Sequence, residues 1–321
     1  MAHDGCRQPL PPYSPCMGLR IAVLGQGAWG RTLAKLFRQQ GHQLQTWSRR
    51  DGTDPVTLLA DQDLIVAAVS MVGVEPLSER LAGHWPAALP LISCTKGLDG
   101  QGLCTPSVLW SRIVPASSVL VLSGPNLASE LDQGLPAASV LASSHLPLAR
   151  RLQQALSSEQ LRLYTNPDPL GTEVAGALKN VMAVAAGVCD GLGLGANARA
   201  SLLCRGLAEM GNVVRGLGGQ ASSLYGLAGL GDLLATATSP LSRNYRFGHL
   251  LAEGHPSAAA LELIGATVEG PNTARAVLRL AHQEGWHLPI CEQVVALVDG
   301  ERQPRQAVQA LMERDLRHEL P

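Results

Sequence analysis

Short apolar runs alternate with amphipathic segments in the first half of the chain, from Leu19 to about Tyr164. The run Leu64-Ile-Val-Ala-Ala-Val69 is apolar throughout, as in a strand that is buried on both faces of a sheet. Strands that alternate with helical segments are typical of a parallel α/β sheet. The pattern predicts strands at Arg20–Leu24, Gln43–Trp47, Leu64–Ala68, Pro90–Cys94, Ser118–Leu122, Ala137–Ala142 and Leu161–Tyr164.

The pattern changes after Pro167 and Pro169, because only helical periodicity follows from Gly171 onward. We therefore predict a sheet domain over residues 18–166 and an all-helical domain over residues 167–321. Residues 1–17 are rich in proline and lack an apolar core, so we expect a loose arm rather than a signal peptide.

A glycine-rich turn, Gly25-Gln-Gly27-Ala-Trp-Gly30, connects the first predicted strand to a helix predicted from Thr32 to Gln40. In a dinucleotide site, Gly25 permits the tight turn, Gly27 lets the backbone approach a pyrophosphate, and Gly30 allows close helix–strand contact. The helix N-terminus then faces the phosphates. An ordinary strand-to-helix turn is the alternative. The fold class is α/β, with a Rossmann-type, mostly parallel sheet domain followed by an all-α domain.

The second predicted strand ends in Trp47-Ser48-Arg49-Arg50, without the acidic residue that accepts from a ribose 2′-hydroxyl in many NAD sites. Two guanidinium groups suit a 2′-phosphate, so we predict a preference for NADPH. Asp51 follows directly, which leaves use of NADH open. A solvated basic strand end is the alternative.

Composition argues against several classes of function. The net charge is −1, and only 2 Phe and 4 Tyr are present, so neither a basic surface nor a base-stacking platform supports nucleic-acid binding. No apolar stretch approaches the roughly 20 residues of a membrane span. The 7 cysteines form no CxxC pair and no metal-ligand spacing, which indicates reduced thiols, a cytoplasmic location and no metal.

Lys179 is the only basic residue between Glu173 and Arg199. Its helix is apolar almost all round, and such helices are normally buried. Because burial favours the neutral amine, a lysine there can exchange a proton near neutral pH. The alternative is a lysine whose ammonium reaches the domain surface. The adjacent Asn180 could orient a substrate or bond locally.

A second group of polar residues lies at Gly226–Asp232 and Ser242–Asn244. Ser242 is a candidate N-cap, which places Arg243 and Arg246 in the first turn of a helix. Cations there oppose the helix dipole, so they indicate a bound anion such as phosphate, with a plain surface helix as the alternative. Asp232 is either a turn residue or the partner of a buried cation such as Lys179.

Two further loops follow predicted sheet strands and contain Lys96 and the segment Ser123-Gly124-Pro-Asn126. In open α/β sheets, ligands bind at this edge. Lys96 is therefore a candidate to polarise a carbonyl or to hold a phosphate.

Together these segments closely resemble the bacterial-type NAD(P)-dependent glycerol-3-phosphate dehydrogenases over nearly the whole chain. The motifs are Gly25-Gln-Gly-Ala-Trp-Gly30, Thr95-Lys-Gly97, Leu122-Ser-Gly-Pro-Asn126, Ala177-Leu-Lys-Asn180, Gly229-Leu-Gly-Asp232, Ser242-Arg-Asn244 and Val268-Glu-Gly270.

The resemblance implies reduction of dihydroxyacetone phosphate, a small phosphorylated ketone, to sn-glycerol 3-phosphate, a precursor of phospholipids. It implies that Lys179 is the catalytic acid/base. The implied substrate contacts are Lys96, Gly124, Asn126, Lys179, Asp232, Ser242, Arg243 and Asn244. The implied cofactor contacts are Trp29, Arg49, Lys96, Ala128, Arg243, Thr267 and Glu269, beside Gly25, Gly27, Gly30 and Arg50 from the analysis above.

The chain departs from the family in the segment Asp51–Asp63, where relatives usually carry a longer stretch with its own helix, and at Ser70-Met71 and Tyr245. A β-hydroxyacid dehydrogenase is the rival enzyme, but that group places an asparagine one helical turn after its lysine, where this chain has Ala183. A catalytically silent NADPH-binding regulator is the rival outside enzymes. A homodimer is compatible with the sequence.

Overall fold

The computed structural model describes residues 18–101 and 103–313, and the predicted arm at residues 1–17 lies outside them. Seven strands form one sheet in the order β2-β1-β3-β4-β5-β6-β7, in which β6 runs antiparallel to β5 and all other neighbours are parallel. The predicted mostly parallel sheet is confirmed. The strands are β1 Arg20–Leu24, β2 Gln43–Trp47, β3 Leu64–Ala67, β4 Leu91–Ser93, β5 Val119–Ser123, β6 Ala137–Ala142 and β7 Leu161–Asn166.

Helices surround the sheet and make up the second half of the chain. The sheet half contains α1 Ala28–Gln39, α2 Met71–Leu81, α3 Pro106–Trp110, α4 Ala128–Asp132 and α5 Leu146–Leu156, with short 3-10 turns at Pro55–Leu59 and Ala116–Ser118. The helical half contains α6 Pro169–Gly191, α7 Gly195–Gly216, α8 Asp232–Ala237, α9 Arg243–Ala252, α10 Ser257–Ile264, α11 Gly270–Glu284, α12 Pro289–Val298 and α13 Pro304–Met312, with a 3-10 turn at Ala221–Tyr225 and a π turn at Leu227–Gly231. The division into two domains at residue 166 stays a prediction.

Successive side chains of the central strands point to opposite faces of the sheet, so they fill one apolar layer on each face. In β1, Ile21 and Val23 pack into the layer beneath α1 and α5, whereas Ala22 and Leu24 pack into the layer beneath α2 and α3. Strand β2 lies at the sheet edge and is largely exposed. The loops at the carboxyl ends of the parallel strands therefore come from a rigid, doubly covered scaffold.

Helix α6 is the core of the helical half, and residues 171–189 are all buried. By length and composition it could cross a membrane, which differs from our expectation of no such stretch, but 89% of its apolar window is buried inside the protein. That burial is what the core helix of a globular domain shows.

Two glycines let α9 cross α6 at close range. A Cβ atom added at Gly187 would lie 2.0 Å from the Tyr245 carbonyl oxygen, and one added at Gly248 would lie 2.0 Å from the Val184 carbonyl oxygen. The backbones thus touch without intervening side chains. This close crossing brings the start of α9 to the helix that carries Lys179.

Helix α1 begins at Ala28, four residues before the start that we predicted at Thr32. The prediction was wrong because glycine disfavours helix interiors, whereas Gly30 is accepted in the first turn for its close packing. A Cβ atom added at Gly30 would lie 1.9 Å from the Gly25 carbonyl oxygen. The helix N-terminus therefore lies inside the glycine-rich turn itself.

Candidate active site

The glycine-rich turn has a conformation that a side chain would obstruct at two of its three glycines. Gly25 has φ +110°, in the region that favours glycine, and its N–H donates to the Trp47 carbonyl at 2.7 Å. At Gly27, in contrast, an added Cβ atom would meet nothing within 4 Å. Gly27 is also the N-cap of α1, and no side chain caps that helix. Open space and uncapped N–H groups fit the phosphates of a dinucleotide.

Replacing Gly27 with alanine separates cofactor binding from folding. Gly27 has φ −66°, which alanine adopts without strain, so we expect the free energy of unfolding to change by less than about 0.5 kcal/mol. The added methyl group occupies the space through which a phosphate approaches, so the Kd of NADPH should rise about tenfold or more. Thermal unfolding and a fluorescence titration measure the two effects. Gly30→Ala is the contrasting variant and should destabilise the protein itself, and unchanged NADPH affinity in Gly27→Ala would contradict the assignment.

The end of β2 presents the two predicted cofactor arginines to solvent. Arg49 and Arg50 are exposed, and neither pairs with a carboxylate within residues 18–101 and 103–313. The short segment that follows forms only a 3-10 turn at Pro55–Leu59, where we noted that relatives carry a helix. The adenosine side of the site is therefore open.

Lys179 and Lys96 converge on one buried carboxylate. Lys179 Nζ donates to Asp232 Oδ1 at 2.9 Å, and Lys96 Nζ donates to Asp232 Oδ2 at 2.5 Å. The predicted pairing of Asp232 with Lys179 is thus confirmed. Lys96 Nζ also donates to the Gly124 carbonyl at 3.0 Å, and Lys179 Nζ donates to Thr236 Oγ1 at 2.6 Å. Loops after β4 and β5 therefore meet α6 and α8 at this point.

Burial and charge set the protonation of this cluster. Burial lowers the pKa of Lys179 to about 8, against the attraction of Asp232 and with help from the positive charges of Lys96 and Arg243. Burial opposes ionisation of Asp232, but the two ammonium groups together hold its pKa below the ordinary value. Lys179 can therefore release and regain a proton near neutral pH while Asp232 stays ionised.

The start of α9 is joined to α6 and α11 by a chain of amides. Asn244 Nδ2 donates to Asn180 Oδ1 at 2.9 Å, and Asn244 Oδ1 accepts from the Gly270 N–H at 2.9 Å. Asn180 therefore bonds between helices α6 and α9 rather than locally, and a role in orienting substrate stays a prediction. Ser242 caps α9 as predicted, since its Oγ accepts from the Tyr245 N–H at 3.2 Å. Arg243 is exposed in the first turn of this helix.

Asn126 has an incomplete set of hydrogen bonds. Its Oδ1 accepts from Ser139 Oγ at 2.5 Å, whereas its Nδ2 is buried with no partner in the described part of the chain. A buried amide without an acceptor is costly, so a ligand oxygen is a natural partner. This geometry supports the predicted substrate contact.

The remaining predicted cofactor residues make no hydrogen bond to Lys179 or Asp232 within the described part of the chain. Trp29 is half-buried in α1, Ala128 begins α4, and Thr267 is exposed before α11. Glu269 accepts from the Met71 N–H, and burial raises the pKa of its carboxyl above the ordinary value. Met71, Leu98, Glu269 and Arg279 help to line a cavity of about 540 Å³.

Sequence reasoning missed two features of the centre. Thr236 lies four residues after Asp232, and that helical spacing was a usable signal, because Thr236 Oγ1 donates to Asp232 Oδ1 at 3.1 Å. The pairing of Lys96 with Asp232 spans 136 positions, and no local pattern indicates it.

Comparison with known proteins agrees with this geometry. Residues 168–309 match the family model described as NAD-dependent glycerol-3-phosphate dehydrogenase C-terminus, and residues 20–54 and 51–149 match the model of the N-terminus. The chain is 58% identical over 303 residues to glycerol-3-phosphate dehydrogenase [NAD(P)+] of Synechococcus sp. (strain RCC307), covering 94% of this chain and 100% of that protein. It is 50% identical to the enzyme of Synechococcus elongatus, covering 93% of this chain and 97% of that protein.

Among solved structures, glycerol-3-phosphate dehydrogenase from Coxiella burnetii superposes with a TM-score of 0.88 at 34% identity, covering 92% of this chain and 99% of that one. The same two-part architecture thus occurs in a solved relative.

Proposed function

Because the chain belongs to the NAD-dependent glycerol-3-phosphate dehydrogenase family, we propose that it reduces dihydroxyacetone phosphate to sn-glycerol 3-phosphate, with NADPH preferred and NADH also used. The observation that carries this proposal is the buried Lys179–Asp232–Lys96 cluster. It lies at the carboxyl edge of the sheet, beside a helix start that carries Arg243. That edge is where open α/β sheets bind their ligands.

Lys179 is the proposed acid/base of the reaction. The glycine-rich turn would hold the pyrophosphate of a reduced nicotinamide dinucleotide, and that cofactor would supply the hydride for the ketone carbon. The Lys179 ammonium donates a proton to the ketone oxygen, so the products are the alcohol and a neutral amine that takes a proton back from solvent. Asp232 holds the two lysines in place, and Lys96 is a second cation that stabilises negative charge on the oxygen.

The start of α9 is the proposed phosphate site. Arg243 supplies a guanidinium that can bind two phosphate oxygens, and it lies close enough to Lys179 to lower the pKa of that lysine. Ser242 and Asn244 fix the helix start through the contacts described above. We assign the phosphate of a small ketone phosphate to this helix start and its ketone to the neighbouring lysines.

The cofactor assignment rests on the glycine-rich turn and the end of β2. We assign the phosphates to Gly25, Gly27 and Gly30, and a 2′-phosphate to Arg49 and Arg50. Trp29, Lys96, Ala128, Arg243, Thr267 and Glu269 complete the proposed cofactor contacts. Comparing kcat/KM for NADPH and NADH tests the preference, and equal values would contradict it.

We also infer a cytoplasmic location and a role in supplying glycerophospholipid synthesis. The five cysteines in the described ranges are all free, as in reduced proteins. A homodimer is the proposed assembly. Light scattering of the purified protein tests it, and a monomer mass would exclude it.

The reaction and the phosphate site are tested together with two ketones. Purified protein should oxidise NADPH with dihydroxyacetone phosphate and fail with unphosphorylated dihydroxyacetone. Arg243→Ala should raise KM for the phosphorylated ketone by about 10- to 100-fold, the loss expected of a charge-assisted hydrogen bond. Arg80→Ala is the control, because Arg80 is an exposed arginine that pairs with Asp54 in another part of the sheet domain. An unchanged KM in Arg243→Ala would refute the phosphate role.

A further inference from the structure

The four-residue turn Ser48–Asp51 at the end of β2 is held by one carboxylate. Asp51 Oδ2 accepts from the Ser48 N–H at 2.6 Å, and Asp51 Oδ1 accepts from Ser48 Oγ at 2.7 Å. The Asp51 N–H in turn donates to the Ser48 carbonyl at 3.0 Å. The side chain and the backbone of Asp51 thus close the same turn, and Arg49 and Arg50 are its two central residues.

Asp51 also reaches the glycine-rich turn. Gln26 Nε2 donates to Asp51 Oδ2 at 3.0 Å, and the Gln26 carbonyl accepts from Arg31 at 2.6 Å. Gln26 stands between Gly25 and Gly27, so the contact joins the proposed phosphate turn to the proposed 2′-phosphate arginines. In a dinucleotide-binding sheet, the cofactor's adenosine ribose lies between these two segments.

The hydrogen bonds of Asp51 restrict what its carboxylate can do. An ionised carboxylate has about four acceptor positions, and three donors already occupy Asp51. An acidic residue that reads NAD instead offers its oxygens to the ribose hydroxyls. The guanidinium groups of Arg49 and Arg50 have no carboxylate partner in the parts of the chain that the structure describes. At this edge of the sheet, the Asp51 carboxylate is therefore occupied by protein donors, whereas the guanidinium groups of Arg49 and Arg50 are available to a ligand.

We propose that Asp51 is a specificity-determining, positioning residue of the cofactor site. It ties the Ser48–Asp51 turn to Gln26, so that Arg49 and Arg50 are held ready for a 2′-phosphate, and it does not bind the ribose itself. The inference rests on the proposed preference for NADPH. It explains how an acidic residue directly after two arginines coexists with selection of a phosphorylated ribose.

The experiment measures the Kd of 2′,5′-ADP and of 5′-AMP by titration calorimetry, because these fragments differ only in the 2′-phosphate. In the unaltered protein, 2′,5′-ADP should bind more tightly. Asp51→Ala should reduce that preference about tenfold, the effect of disordering charge-assisted contacts, while the Kd of 5′-AMP changes little. Gln26→Ala should reduce the preference less, because the turn keeps its two contacts to Ser48.

Asp54→Ala is the matched control. Asp54 is an exposed aspartate three residues further on, and it caps a 3-10 turn and pairs with Arg80. Its replacement should leave both affinities unchanged. If Asp51→Ala does not fold, Asp51→Asn serves in its place, because an amide has one acceptor oxygen and cannot accept from all three donors. The same fall in preference is expected.

Each outcome bears on a different statement. Equal affinity for the two fragments in the unaltered protein would overturn the proposed NADPH preference itself. A preference that survives Asp51→Ala would overturn the role of Asp51 and leave the NADPH preference standing. Equal weakening of both fragments would show a merely structural residue, and a preference that rises would show that the carboxylate repels the phosphate. Either result would overturn the inference.

Discussion

Replacing Lys179 with methionine should lower kcat for ketone reduction by about 10²- to 10⁴-fold, the range of a lost general acid. Methionine keeps the length and apolar stem of the side chain in a helix that is buried on all sides. Asp232 remains paired with Lys96, so the fold should survive. NADPH binding, measured by fluorescence titration, should stay unchanged, because the proposed cofactor contacts leave Lys179 out.

Lys35→Met is the control for this substitution. The chain contains only three lysines, and Lys35 is the one outside the cluster, exposed on α1 and bonded to the Asp132 carbonyl. Its replacement should leave kcat unchanged. Turnover that persists in Lys179→Met would remove this lysine from the mechanism and favour a proton donor such as Lys96.

The pKa of Lys179 sets the pH dependence of the reduction. The reaction requires the protonated amine, and the pKa of about 8 means that this form dominates at lower pH and is lost as the pH rises through 8. The kcat/KM profile should therefore fall above about pH 8, with one proton involved. In Lys179→Met the residual rate should lack this falling limb. A limb that persists there would belong to another group.

Most of the sheet could be predicted from the sequence because its buried strands are short apolar runs, whereas the exposed edge strand β2 is mostly polar. β1, β2 and β6 have the predicted bounds, and the others differ by one or two residues. Buried strands need such runs whatever surrounds them. The start of α1 was misplaced because the local propensity of Gly30 was overridden by its contact with the Gly25 carbonyl, which is tertiary information.

The candidate site was only partly accessible to sequence reasoning. An isolated lysine in an apolar helix is visible in the sequence, and so is an aspartate in a glycine-rich loop. Their pairing was a plausible inference from the need of a buried cation for a partner. The contact of Lys96 with the same carboxylate depends on how the loop after β4 meets α8, which no residue in either segment specifies alone.

The substitution Asp232→Asn should move the pH profile in a direction that identifies the role of the carboxylate. Asp232 is the group whose negative charge raises the pKa of Lys179 against its burial. Without that charge, Lys96 and Lys179 face one another with no counter-ion, so the pKa of Lys179 should fall below 8 by about one unit or more. The fall of kcat/KM for ketone reduction should then begin at a lower pH than in the unaltered protein.

Stability gives a second readout of Asp232→Asn. Removing one partner from a buried charge cluster costs about 3–5 kcal/mol, which urea unfolding can measure. Asp190→Asn is the control, since Asp190 pairs with Arg199 and Tyr245 at the far end of α6 and should leave the limb in place. A loss of stability with an unshifted limb would make Asp232 a structural anchor only. A falling limb that moves to lower pH shows that the Asp232 carboxylate sets the pKa of Lys179. A structural change elsewhere in the protein would not be expected to lower that pKa.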